Sequence, residues 1–142
     1  MLGATGVTLV LIVKALAIWL AILVCAVANG TLREAILIPH LGKTIGLLLS
    51  GLLLSALILA ITYFALPWLG VTRLSQLIGI GLGWLALTLV FEISFGRFQG
   101  KTWPALLEAY TFKDGNIWPV VLLITAAAPY IAGRLRGMPR SR

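Results

Sequence analysis

The sequence predicts an all-α polytopic membrane protein: an antiparallel bundle of four transmembrane helices with a short interfacial helix between spans three and four. Three observations predict it. Of the 142 residues, 61% are hydrophobic and only 11% charged, and the mean hydropathy of +1.07 lies far outside the soluble-globular range. The apolar residues gather in four runs of a length suited to about 30 Å of hydrocarbon. Most charges and four of the six prolines fall outside those runs, where turns and membrane interfaces are expected. One transmembrane domain, residues 1–142, is therefore expected, with spans at 6–30, 44–66, 76–96 and 117–133 and the interfacial helix at 102–111.

The first span contains Lys14 and ends near Arg33, 19 residues later. At 1.5 Å per residue the two are about 28 Å apart and bracket the hydrocarbon layer. Ala26-Val27-Ala28 has the small-x-small form of a signal cleavage site, but the preceding region lacks a basic cluster, so the segment reads as a retained span. Ala17, Ala21, Cys25, Asn29 and Arg33 recur at i+4, which predicts a small-to-polar ridge facing protein and a helix continuing to Glu34. Pro39 and Gly42 then predict a tight hairpin over 37–43.

Span two carries Gly42, Gly46 and Ser50 on one face and Gly51 and Ser55 on another, spacings that admit close backbone approach. Pro67-Trp68 marks its end. In span three, Trp84, Thr88, Glu92 and Gly96 form a second i+4 ridge. Thr102 and Pro104 suit the first turn of the interfacial helix, and Leu106, Leu107 and Tyr110 one apolar face of it. The segment Asp114-Gly115-Asn116 turns the chain into span four, where Pro129 predicts a kink or an end. Trp68, Trp103 and Trp118 read as interface anchors.

The net charge of +7 would point to nucleic acid in a soluble chain. Here the basic residues sit in loops and the tail, with no basic stripe and interleaved aromatics, so nucleic acid is not an expected partner. The expected partners are the lipid bilayer and either a second copy of the chain or a larger membrane complex. The lone Cys25 excludes a disulfide, a CxxC pair and a thiolate cluster within the chain, and a single His40 makes no histidine metal site. No cofactor is implied.

Four spans place both termini on one side, with Arg73 and the tail arginines, and this basic cluster favours a cytoplasmic location for the termini. On the other side fall all four acids (Glu34, Glu92, Glu108 and Asp114) with His40, Arg33, Arg97 and Asn116. The molecule is thus expected to have a polar half, with any pocket between the ends of spans one and three under the long loop. Glu92 stands out, because a carboxylate inside a span costs roughly 2.5 kcal/mol or more and marks a functional site or an ion pair. The expected arrangement is an Arg33–Glu92 pair with Asn29, His40 and Thr88 close by, surrounded by Glu34, Arg97, Asp114, Asn116 and Tyr110. No paired carboxylates, HxxxH, GxSxG or phosphate-cradling loop occurs, so no catalytic residue is assigned.

The run Leu32-Arg33-Glu34-Ala35 with Leu37, Pro39, Leu41 and Gly42 is one motif. The later Leu87-Thr88-Leu89, Phe91-Glu92, Phe95-Gly96, Gly100-Lys101, Trp103, Leu107 and Tyr110 make another. Together they resemble a group of small uncharacterised bacterial four-span inner-membrane proteins. The resemblance implies a bacterial cytoplasmic-membrane location and transfers no activity. The functional expectation is a non-enzymatic protein that binds or transports a small solute or ion near Glu92 and Arg33. The alternatives are an accessory or assembly subunit and, third, a lipid-modifying enzyme.

Overall fold

The computed structural model describes residues 4–71, 73–108, 110–112 and 115–137, with side chains from residue 9 onward. The described chain is helical: α1 (Ala4–Leu32), a π-helical turn (Arg33–Leu37), α2 (Ile38–Leu41), α3 (Lys43–Leu69), α4 (Leu74–Phe98), α5 (Trp103–Glu108) and α6 (Trp118–Leu135). Four helices are long and apolar enough to cross a membrane: α1 through α2, α3, α4 and α6. They alternate in direction, and α5 lies between the third and fourth, as the sequence predicts.

Pro39 does not end the first helix. The π-helical turn directly precedes it, with the Ile38 N–H donating to Arg33 O one residue farther back than in an α-helix. Such widening makes room for a ring that lacks an N–H, and the helix runs on to Leu41. The reversal falls on Gly42 alone, at φ 92° and ψ 164°, which favours glycine. Pro129 likewise stays inside α6, buried, and the helix continues to Leu135. Pro67 sits in the last turn of α3, which Gly70 closes in a left-handed cap.

The centre of the bundle is α6, which packs on α3 and α4, while α1 packs on α3 and touches α4 only sparingly. In α3 the buried positions Gly46, Ser50, Leu54, Ile58, Thr62 and Leu66 recur every four residues, one straight seam toward the interior. The small residues on α3 serve the chain itself: a Cβ on Gly46 would meet Ile38, and one on Gly51 would meet Ile117. At the α4–α6 crossing Gly81 faces the Ala126 carbonyl, where a Cβ would stand 1.9 Å from the oxygen, so the two backbones touch. The remaining faces carry exposed Leu, Ile, Val and Phe, the surface a bilayer solvates.

The ridge expected on α1 is displaced. Ala17 and Ala21 are exposed, and the buried positions are Ala15, Ile18, Ile22 and Asn29. The expected ridge is therefore kept at Asn29 and lost toward the N-terminal end of α1, where Ala15, Ile18 and Ile22 face inward instead. Two indoles join α1 to α4: Trp84 Nε1 donates to Ala15 O at 3.0 Å and Trp19 Nε1 to Thr88 Oγ1 at 3.0 Å. On the terminal side, Lys14 Nζ donates to Trp68 O at 3.0 Å, and Arg136 Nε donates to Tyr63 O and stacks over its ring.

Candidate functional site

The α4 ridge faces inward as its spacing predicts. Trp84 and Gly96 are buried, and Thr88 and Glu92 are half-buried between them. Glu92 and Arg33 line one cavity of about 380 Å³ between the four spans, roofed by the loop after α4. Its wall includes Leu23 and Ala26 of α1, Leu47 and Leu54 of α3, Thr88, Phe91 and Glu92 of α4, Lys101 and Leu106 of the loop segment, and Asn116 and Trp118 at the start of α6. This is the position expected from the sequence, under the long loop on the acid-rich side.

The expected Arg33–Glu92 ion pair does not form. Arg33 Nε bonds instead to Glu34 Oε2 at 3.0 Å, and Arg33 Nη1 donates to Ser50 Oγ at 3.4 Å. Glu92 Oε1 accepts from the Tyr110 hydroxyl at 2.6 Å. The reason is reach: Glu34 is the neighbouring residue on the same widened turn, while the loop brings Tyr110 down onto α4. Tyr110 is placed by α5, where the Thr102 hydroxyl accepts from the Ala105 N–H at 3.3 Å and buried Leu106 fills the space left by Gly96. A Cβ on Gly96 would lie 2.2 Å from the Leu106 side chain, so that glycine seats the loop. Partial burial, and next the bond to Glu92, push the Tyr110 phenol above its usual range.

Asn29 is buried behind the cavity, its Oδ1 accepting from the Ser50 hydroxyl and its Nδ2 unpartnered. Arg33, Ser50 and Asn29 thereby form a polar chain that ties the widened turn to α3. Thr88 lines the cavity and donates to Trp84 O at 2.7 Å. His40 does not join them: it is exposed, and its Nδ1–H donates to Ile36 O at 2.9 Å on its own helix. The reason is that Pro39 leaves the helix unbroken and carries His40 past the cavity. Arg97 is also outside, donating to Lys101 O at 3.2 Å and lying over the Trp103 ring. Glu34 and Asn116 line the cavity, and Asp114 lies outside the described residues.

Leu106 and Tyr110 turn inward from the α5 segment, whereas Leu107 is exposed, so the three do not share one face. The helix itself is shorter than expected, Trp103–Glu108, and residues 110–112 form a turn in which Phe112 takes a left-handed φ of 59°. Trp118 begins the central helix, with its backbone N–H donating to Asn116 Oδ1 at 3.0 Å, and its half-buried indole turns Nε1 toward the Glu92–Tyr110 pair. The sequence reading missed Ser50, Lys101 and the Trp19–Thr88 bond. A usable signal existed for the last, since Trp19 and Trp84 lie deep in spans where an indole N–H needs an acceptor.

The chain matches no protein-family model, no curated protein and no solved structure.

Proposed function

We propose that this is a non-enzymatic integral membrane protein that binds, or transports, a small charged solute at the cavity containing Glu92 and Arg33. One observation carries the reading: a cavity of about 380 Å³ reaches an intramembrane carboxylate that is held by a phenol rather than neutralised by a basic side chain. A structural clasp would pair Glu92 directly with a cation. An acid hydrogen-bonded to one hydroxyl and open to a cavity keeps acceptor capacity for a ligand. The proposed setting is the bacterial cytoplasmic membrane with both termini in the cytoplasm, supported by the resemblance and the tail arginines.

Infrared difference spectroscopy of the protein in nanodiscs tests this, comparing wild type with Glu92→Gln while ammonium, phosphate and phosphoethanolamine are added in turn. A carboxyl band that shifts with a solute and vanishes in Glu92→Gln supports binding. A band indifferent to every solute, together with a loss of stability in Glu92→Gln, sinks the proposal. A second reading, an accessory subunit or homo-oligomer, draws on Gly79 and Gly83, which are exposed with no atom within 4 Å of a built Cβ. That small-residue face suits another helix, and the subunit count in native mass spectrometry decides it.

A further inference from the structure

The cavity around Glu92 opens sideways. Val27 and Phe95 line it and are also 58% and 48% exposed on the outside of the bundle, so the gap between α1 and α4 connects the charged groups with the lipid-facing surface. Farther along the same seam, past the Trp19–Thr88 bond, lies a second hollow, about 260 Å³, walled by Leu11, Leu16, Ile80 and Leu87 and floored by Gly79 and Gly83. Gly83 precedes Glu92 by nine residues. That is about 14 Å at 1.5 Å per residue, close to the depth of one leaflet of a ~30 Å hydrocarbon layer.

Charge selects the headgroup. The described ionisable groups lining the cavity are Arg33, Lys101, Glu34 and Glu92, two of each sign. Arg33 and Glu34 are paired with each other, which leaves Lys101 and Glu92 as one further charge of each sign. A molecule carrying both charges finds partners for each. The arginine fork matches a phosphate, and a carboxylate accepts from an ammonium, with the Trp118 indole bordering Glu92 at the wall.

Resting on the reading of this cavity as a binding site, we infer that its ligand is a zwitterionic phospholipid. Its phosphate faces Lys101 and the Arg33 side of the Arg33–Glu34 pair, its ammonium faces Glu92, and one acyl chain leaves between Val27 and Phe95 and runs over the lipid-facing side of the Trp19–Thr88 bond toward the hollow at Gly83.

The test is native mass spectrometry of the full chain in detergent micelles. Phosphatidylethanolamine, phosphatidylglycerol and water-soluble glycerophosphoethanolamine are added at equal concentration. Wild type is expected to retain the ethanolamine lipid about tenfold better than the glycerol lipid, the scale of one charged hydrogen bond. Glu92→Gln, which keeps an acceptor for Tyr110, brings the two lipids close to parity. Gly83→Leu fills the open seam and lowers retention of the ethanolamine lipid several-fold, with binding of the soluble analogue unchanged. Equal retention of both lipids by wild type, or a preference that survives Glu92→Gln, overturns the inference. So does a soluble analogue that binds as tightly as the lipid with no effect of Gly83→Leu, a result that leaves the binding-site reading standing. A dimer broken by Gly83→Leu assigns the seam to a second copy and also overturns it. If no lipid or analogue binds, the Glu92 infrared band separates the cases: a response to another solute rejects only the lipid, and no response rejects the site.

Discussion

At the scale of single residues, the Glu92–Tyr110 bond is the contact on which the loop side depends. Tyr110→Phe removes the donor and leaves the carboxylate facing a cavity. The expected cost is about 1–2 kcal/mol, read as a lower thermal midpoint and faster amide exchange over residues 99–117. The same phenol sets a pH limit. Its pKa lies above the unfolded reference of 10.0, so folding favours the protonated form. The stability this contributes is complete below about pH 10 and is lost as pH rises toward the folded value. An alkaline ultraviolet titration should show a late-ionising phenol in wild type that disappears in Tyr110→Phe. Glu92 was legible as an outlier because an acid in an apolar run is costly. Its partner was not, since Tyr110 lies 18 residues away in a loop whose course depends on Leu106 meeting Gly96.

At the scale of elements, the glycines of α4 divide by what they face. Gly81 meets the Ala126 backbone, and Gly81→Ala should cost about 2 kcal/mol or more by forcing α4 and α6 apart. Gly79→Ala faces open space and should be neutral or stabilising by about 0.5–1 kcal/mol, the ordinary gain for glycine in a helix. Thermal unfolding of both variants in the same detergent checks the contrast. The attachment of α1 to α4 relies on indole bonds more than on packing. Trp84→Phe should therefore raise exchange along α1 by about fivefold, the equivalent of roughly 1 kcal/mol in a membrane bundle, and leave α6 protected. Helix ends followed local chemistry where Gly42 and Gly70 supplied positive φ. They departed from it at Pro39 and Pro129, where a widened turn and a buried central position let the helix pass.

For the molecule as a whole, four spans require the N-terminus, the loop at residues 70–73 and the tail to share one side. Reporter fusions after residue 142 and within residues 99–102 should report opposite sides, with the tail in the cytoplasm. The same side for both would remove one span from the topology. The division into an apolar half and a polar half has a structural counterpart: the charged cavity lies toward the α5 loop and the apolar hollow toward the termini, both on the loosely packed α1–α4 seam.

Hydropathy alone determined the number of spans, their antiparallel order, the α5 position and the side that holds the acids. A bilayer admits only segments whose backbone groups are internally satisfied, so composition and length are sufficient for those features. Spacing also placed Thr88 and Glu92 on an inward ridge. Tertiary structure decided the partners: Ser50 for Arg33 beside its neighbour Glu34, Tyr110 for Glu92, a position outside the cavity for His40, and the cavity wall for Trp118. Side-chain pairing depends on helix rotation and on a loop docking across the chain. Each is set by contacts such as Gly81 with Ala126 and Gly96 with Leu106, which no periodicity within a single span encodes.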